Sequence, residues 1–104
     1  MHEIDYIKAE LASLPPNSSP FLIHNIEKRI RRLERYEKFI KEDLPFLHHA
    51  PKVDNILFSE ELSRCTFTLK NGEVFDYYPK ANKILIRKTN TWKDKGLRYL
   101  KSRL

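Results

Sequence analysis

The segment TFTLKNGEVFDYYPKANKILIRK, residues 66–88, decides the fold because apolar and polar side chains alternate along it. The alternation is interrupted at Asn71-Gly72, and an Asn-Gly pair between two alternating runs is a strong signal of a β-hairpin. Successive side chains of a strand point to opposite faces of the sheet. The pattern therefore predicts two antiparallel strands with one apolar face and one polar face.

Two registers of this hairpin compete. A two-residue turn would place Phe67 opposite Asp76, whereas a three-residue loop at residues 70–72 would place Phe67 opposite Phe75. A slip of one residue exchanges the buried face of a strand for its solvent face. We therefore predict the three-residue loop, with Gly72 in a left-handed conformation, because it keeps the apolar side chains together.

The same test extends the sheet on both sides of the hairpin. A loop at residues 79–82 places Ile84 opposite Tyr77, and an earlier loop at residues 60–63 adds a strand before the hairpin. The inner face then consists of Ile56, Phe58, Cys65, Phe67, Leu69, Phe75, Tyr77, Ile84 and Ile86. The outer face carries Thr66, Thr68, Val74, Asp76, Tyr78, Lys83, Leu85 and Arg87. This agreement predicts a four-stranded antiparallel meander with one buried side.

The first half of the chain has helical periodicity. Apolar residues recur at steps of three and four over residues 3–14 and again over residues 20–43, which predicts two amphipathic helices. Residues 15–20 interrupt the pattern with three prolines, and Ser19 followed by Pro20 is typical of a helix start. The two helices should form an antiparallel hairpin whose apolar faces cover either the sheet or a second copy of the chain. The sequence leaves open whether the hairpin packs on the sheet or projects from it.

The last segment, TNTWKDKGLRYLKSRL, has leucines at helical spacing. We predict a helix here that is capped by Asn90 or Thr91, with Trp92 at the corner between the last strand and the helix. Gly96 weakens the start of this helix, and close packing against the sheet would explain its presence.

The predicted fold class is α+β. It comprises an N-terminal helical hairpin, a four-stranded antiparallel β-meander and a C-terminal helix packed on one sheet face. With 104 residues the chain is expected to form a single domain. The hairpin would occupy residues 1–44, and the meander with the closing helix would occupy residues 53–104.

The chain is basic, with 20 Lys and Arg residues against 14 acidic ones and a formal net charge of +6. Such an excess favours a polyanionic partner. Basic residues concentrate on the second helix and at the C-terminus, while an outer-face tyrosine could stack on a base and its basic neighbours could contact phosphate. Asp76 on the same face argues against that platform because it repels polyanions. The candidate binding residues are Lys28, Arg29, Arg32, Arg35, Tyr78, Lys83, Arg87, Lys93, Lys95, Arg98 and Lys101.

Nothing in the sequence has the arrangement of a catalytic site, and we expect neither an enzyme nor a bound metal or cofactor. Cys65 falls on the inner sheet face, which is typical of a buried, inert thiol. The neighbouring His48 and His49 are expected in a surface loop at residues 45–54, without the partner spacing of a metal site. A single cysteine and the lack of an apolar run of about 20 residues lead us to expect a cytoplasmic protein without a membrane partner.

These features lead to three hypotheses. The first is a small nucleic-acid-binding protein that contacts mainly the phosphate backbone. The second is an inhibitor or adaptor of the kind made by phages and mobile elements, for example an anti-CRISPR, that binds a host nucleic-acid-handling protein. The third is a structural protein that self-associates as a homodimer through the helical hairpin. The sequence does not distinguish a DNA, RNA or protein target.

Overall fold

The computed structural model describes residues 3–104, which form helices and one antiparallel sheet in an α+β arrangement. The helices are α1 (Glu3–Ala12), α2 (Pro20–Lys38), α3 (Leu44–His48) and α4 (Gly96–Ser102), with a π-helical turn at Phe39–Asp43 between α2 and α3. The strands are β1 (Val53–Ser59), β2 (Arg64–Leu69), β3 (Val74–Tyr78), β4 (Lys83–Ile86) and β5 (Thr91–Asp94). The strands follow one another in the order of the sequence, so the sheet is a meander.

The predicted helical hairpin is confirmed, but its two apolar stripes cover each other and not the sheet, which was one of the two predicted arrangements. Ile4 and Ile7 of α1 pack against a buried stripe of α2 that consists of Ile26, Ile30 and Leu33. The predicted helix start is also present: Pro20 is the first residue of α2, and the Phe21 N–H donates to the Ser19 Oγ at 3.2 Å. The first helix ends at Ala12, two residues earlier than predicted.

The second helix runs further than its predicted end at Asp43. It continues through the π-helical turn and α3, so the predicted loop at residues 45–54 is wrong over its first part and His48 is helical. Pro45 has no N–H to donate, and in a regular α-helix its ring would clash with the carbonyl four residues earlier. The wider turn before it, in which the Leu44 N–H donates to the Phe39 carbonyl, accommodates the proline.

The π-helical turn also changes the direction in which the helix presents its apolar side chains. The extra residue of such a turn rotates the side chains of all later helical residues about the helix axis. Phe39 is buried against Tyr77 with 5.0 Å between the ring centres. Leu47 is likewise fully buried in the core of the sheet. The apolar stripe of α2 thus packs against α1, whereas the apolar side chains at and after the π-helical turn pack against the sheet.

The predicted strand register is confirmed at every pair. Phe67 lies opposite Phe75 and Cys65 lies opposite Tyr77, and the outer two predicted strands also pair as expected. The loop at residues 70–72 has three residues, and Gly72 has a positive φ of 89°. One apolar face therefore runs across the sheet, and its most deeply buried members are Cys65, Phe67, Phe75, Tyr77 and Ile84.

The sheet has five strands rather than the predicted four. The segment Thr91–Asp94, expected to begin the last helix, is an edge strand that pairs with β4. The helix starts only at Gly96, after Lys95 adopts a left-handed conformation with φ 52°. Asn82, on the loop before β4, holds this junction: its carbonyl accepts from the Gly96 N–H at 2.8 Å.

Gly96 is where the last helix comes closest to the sheet. A Cβ at this position would lie 2.8 Å from the Lys83 carbonyl carbon and 2.9 Å from the Ile84 nitrogen. The predicted role of the glycine in close packing is therefore confirmed. Leu100 of α4 is fully buried in the core cluster on the inner sheet face, to which Leu47 of α3 also belongs.

The hairpin projects from the sheet. Its buried stripe and the sheet core are two separate clusters that share no residue, and α1 makes its main contacts with α2. The molecule is correspondingly long, with extents of 55 × 28 × 22 Å and a radius of gyration of 16.5 Å. A compact domain of this length would have a radius of about 13 Å. No helix between residues 3 and 104 is long and apolar enough to cross a membrane.

Candidate functional site

A groove lined by basic side chains lies between α2 and the loop that joins β3 to β4. We call it the cationic groove; its lining residues are His24, Lys28, Arg31, Arg32, Arg35, Lys80, Ala81 and Lys83. Its volume is about 480 Å³, and no acidic side chain lines it within the part of the chain that the structure describes. Helix residues three and four apart share a face, so the basic side chains of α2 form one wall and the loop forms the other.

The two walls of the groove are joined directly. The Nη1 atom of Arg35 donates a hydrogen bond to the Lys80 carbonyl at 2.9 Å. The Nζ atom of Lys80 lies 5.3 Å from the centre of the Tyr36 ring, which is a cation–π contact. These contacts hold the loop against the base of the hairpin, so the spacing between the walls is fixed by the fold.

The basic side chains of α2 differ in how far nearby acids neutralise them. Arg31 lies 4.0 Å from Glu27 on the same helix, and Arg29 lies 4.0 Å from Glu10 of α1. Arg29 therefore faces the other helix of the hairpin and does not line the groove. Lys28 and Arg32 are exposed, and among residues 3–104 neither has an acidic side chain within ion-pair distance. They are the groove's most available positive charges.

The outer face of the sheet is open. The helices that contact the strands, α3 and α4, lie on the inner face. One row of side chains crosses the outer face from β1 to β5 and consists of Leu57, Thr66, Asp76, Leu85 and Trp92. Trp92 is 54% exposed, and its ring centre lies 5.4 Å from that of Tyr78. Trp92 therefore lies on an open surface and not at the corner where the sequence placed it.

Asp76 is sealed at the centre of this face. Two hydrogen bonds from Arg87 reach its carboxylate, from Nε at 2.6 Å and from Nη2 at 2.9 Å. The Thr66 hydroxyl donates a third at 2.6 Å, and the Arg64 Nε lies 3.9 Å away. Asp76 as a whole residue is only 3% exposed. Burial disfavours its ionised form, but the hydrogen bonds from Arg87 and Thr66 outweigh that effect, so the pKa of Asp76 lies below its usual value.

This network changes the electrostatic role expected of Asp76. One carboxylate faces two guanidinium groups, those of Arg87 and Arg64, so the cluster retains a net positive charge. Arg87 is about half exposed, and a guanidinium has five N–H donors, of which Asp76 uses two. The remaining donors are available to an anion, and the buried carboxylate presents little negative charge to solvent.

Lys83 joins the cationic groove to the open sheet face. It lines the groove with α2, and it also lies opposite Tyr78 on the outer face. Its ion pair with Asp94, at 4.0 Å between two exposed groups, is weak. The groove, Lys83, the two aromatic rings and Arg87 therefore form one continuous surface.

The C-terminal basic residues do not join this surface. Lys93 pairs with Ile84 and so lies on the inner side of the edge strand. The Lys101 Nζ lies 2.9 Å from the Asp43 carboxylate and ties α4 to the π-helical turn. Lys95 and Arg98 are exposed but do not line the groove. The C-terminal set is thus dispersed, although its sequence is as basic as that of α2.

Cys65 and the potential metal ligands are the other chemically notable side chains of residues 3–104. The Cys65 thiol is fully buried, and burial raises its pKa to about 12. Between residues 3 and 104 no three His, Cys, Asp or Glu side chains are placed to hold a metal ion.

Sequence reasoning missed five members of the surface, namely His24, Arg31, Lys80, Ala81 and Trp92. Trp92 was assigned to a helix corner, and Lys80 gave no signal because its place in the groove depends on the contact with Arg35, 45 residues away. No protein-family model, curated protein or solved structure matches this chain.

Proposed function

We propose that this protein binds nucleic acid by its phosphate backbone, with the strand held in the cationic groove. The observation that carries the proposal is the convergence of α2 and the β3–β4 loop on a groove lined by several basic side chains and by no acidic one in the described chain. Phosphate contacts by Lys and Arg provide most of the affinity in sequence-independent binding.

The Arg35–Lys80 contact supports the same proposal. A groove whose walls are held apart by a hydrogen bond and a cation–π contact presents its charges without further ordering. Arg31 is partly neutralised by Glu27, whereas Lys28 and Arg32 on either side of it are more available, so these two residues are expected to make the main phosphate contacts of α2. Arg29, Lys93 and Lys101 are not needed for this mode of binding, since each lies elsewhere or is engaged by another element.

Fluorescence anisotropy with labelled oligonucleotides tests the proposal. Contacts to about four to six phosphates predict an affinity that falls by about 10²–10³-fold on duplex DNA between about 50 and 200 mM salt. The double substitution Lys28→Gln with Arg32→Gln should weaken binding to every sequence and make the salt dependence less steep by roughly two phosphate contacts.

The matched control is Lys52→Gln with Lys70→Gln, which removes the same charge from exposed lysines at the far end of the sheet. That variant should bind almost as well as the wild type. Equal losses from both pairs would mean that only net charge matters, and an absence of salt-dependent binding to DNA and RNA would contradict the proposal.

A second candidate function, an inhibitor or adaptor that binds a nucleic-acid-handling protein, is favoured by the distal end of the hairpin. Phe21 is 74% exposed there and Leu22 is next to it, both in the first turn of α2. Recovery of the protein from its own cells, with and without nuclease, tests this candidate. A protein partner that survives digestion and is lost with Phe21→Ser plus Leu22→Ser would support it.

A further inference from the structure

We propose that the nucleic acid is single-stranded where it crosses the sheet, with a base stacked on Trp92 and neighbouring phosphates held by Lys83 and Arg87. The inference rests on the proposed function, because it names the form of nucleic acid that the same continuous surface takes. It begins from the placement of a large aromatic ring, more than half exposed, on a sheet face that no helix covers.

The Trp92 ring is held in place. Tyr78 contacts it with 5.4 Å between the ring centres and 41° between the ring planes. The backbone below it is fixed by the ladder to β4, where Trp92 lies opposite Leu85. Tyr78 thus supports the indole, and because the residue is 54% exposed its ring still offers accessible surface, which a stacking platform requires.

Positive charge flanks the ring on both sides. Lys83 is the diagonal neighbour of Trp92 across the β4–β5 pair, a relationship that separates residues by about 7–8 Å. Arg87 follows Leu85 by two residues on the same face, and its N–H continues the ladder to the Val74 carbonyl at 3.2 Å. Arg87 and Arg64 together outweigh the charge of Asp76, so the centre of the face does not repel a phosphate, and at its edge Lys83 offsets the exposed carboxylate of Asp94.

The length of this surface fits a short single strand. Lys83 and Arg87 are four residues apart on one strand, which corresponds to about 13 Å. Beyond Lys83 the surface continues into the groove along α2. Aromatic platforms joined to a positively charged groove are the usual means of holding about four or more nucleotides of single-stranded nucleic acid.

A duplex does not fit the same description. Its bases are stacked on one another, so their π faces are not available to a side chain that lies on the protein surface, whereas single strands present splayed bases to aromatic rings. A duplex could still place its phosphates in the cationic groove. Substitution of Lys28 and Arg32 should therefore weaken the binding of both forms, whereas substitution of Trp92 should weaken mainly the binding of single strands.

The intrinsic fluorescence of the full chain provides a direct test, because Trp92 is the only tryptophan among its 104 residues. Titration with an oligothymidylate should quench this fluorescence. The emission should stay nearly unchanged with a duplex oligonucleotide or with inorganic polyphosphate. Each of these ligands is titrated to saturation, as judged by its own salt-dependent binding. Trp92→Ala should weaken single-strand binding by about 5- to 100-fold and duplex binding by less than about twofold.

Two further variants keep the result interpretable. Trp92→Phe preserves a ring on the edge strand and should recover most of the lost affinity, which a merely structural defect would not explain. Phe46→Ala removes a similarly exposed aromatic ring from α3, on the other side of the sheet, and should bind single strands as the wild type does.

The outcomes separate this inference from the function on which it rests. Both forms could bind in a salt-dependent way without quenching the tryptophan and without a loss of affinity in Trp92→Ala. That result would overturn the single-strand inference but not the proposal of phosphate binding in the groove. No binding to single strand, duplex or polyphosphate would overturn both. Quenching that is equal for single strand and duplex would also overturn the inference, since it would report charge and not stacking.

Discussion

Arg87 holds the carboxylate of Asp76 with two hydrogen bonds of 2.6 and 2.9 Å, on a sheet face that is otherwise open to solvent. Thr66 adds a third bond from the neighbouring strand. Thr66 belongs to β2, Asp76 belongs to β3 and Arg87 directly follows β4, so the network links successive strands on the side that has no apolar core. A buried carboxylate of this kind contributes to stability only while it is ionised.

We therefore expect Asp76→Asn to be destabilised by about 1–3 kcal/mol near neutral pH, because an amide cannot accept both hydrogen bonds from Arg87. The pKa of Asp76 in the folded protein lies below its unfolded value of about 3.9. Its contribution is fully present above the unfolded value and is lost as the pH falls through the folded one. Urea unfolding at several pH values should accordingly show that the wild type and the variant converge in strong acid.

Asp54→Asn is the matched control, since Asp54 is exposed on the edge strand β1. It should change the free energy of unfolding by less than about 0.5 kcal/mol at neutral pH. If Asp76→Asn loses the same free energy of unfolding at acid and at neutral pH, the ionised carboxylate is not the source of the loss.

Gly96→Ala should destabilise the protein by about 1–3 kcal/mol, although alanine is the better helix former. The added methyl group would lie 2.8 and 2.9 Å from backbone atoms of Lys83 and Ile84, which cannot turn aside as a flexible side chain could. Denaturant unfolding measures the loss, and amide chemical shifts should change at Lys83 and Ile84. In Gly72→Ala, where the new methyl group meets no atom within 4 Å, those two shifts should stay the same.

The register of four strands was predictable because several independent constraints agreed. The Asn71-Gly72 turn and the apolar alternation each select the pairing of Phe67 with Phe75, and the structure has that pairing. Side-chain parity is a local property of a strand, so it can be read from neighbouring residues. The helical hairpin was predictable for the same reason, from a repeat of three and four residues.

The fifth strand and the π-helical turn were not predictable from local patterns. Residues 91–94 contain a single large apolar residue, Trp92, and they form a strand because β4 offers an edge and Asn82 fixes the turn that follows. Pro45 is a local signal for the end of a helix, but the helix continues past it because Phe39 and Leu47 pack on the sheet. In the candidate site the basic ridge of α2 was visible in the sequence, whereas its partner Lys80 was brought there by tertiary contacts.

The hairpin should unfold independently of the sheet. Ile30→Ala leaves a cavity in the hairpin cluster, a change that costs about 2–5 kcal/mol, and α1 with its 10 residues is too short to be stable alone. Hydrogen exchange should therefore show lost protection in α1 and the first half of α2, while β2 and β3 stay protected. Phe75→Leu, in the sheet core, should instead lower protection in the strands. Uniform loss of protection in Ile30→Ala would contradict the separation of the two clusters.

Cys65 offers a chemical measure of the same separation, because it is the only cysteine in the sequence and lies fully buried in the sheet core. Burial raises the pKa of its thiol to about 12, so the reactive thiolate is available almost exclusively after the sheet opens. We expect alkylation near pH 8 to be slower than in the unfolded chain by at least about 10³-fold. Above about pH 8.5, where the unfolded thiol ionises, the free energy of unfolding should decrease as the pH rises.

If the hairpin opens without the sheet, Ile30→Ala should leave the alkylation rate of Cys65 within about twofold of the wild-type rate. Phe75→Leu should raise that rate in proportion to its effect on global stability, because Phe75 belongs to the core cluster that buries the thiol. Mass spectrometry of samples quenched over time measures both rates. Faster alkylation in Ile30→Ala would mean that the hairpin supports the sheet, and the projecting helices would then be part of one cooperative unit.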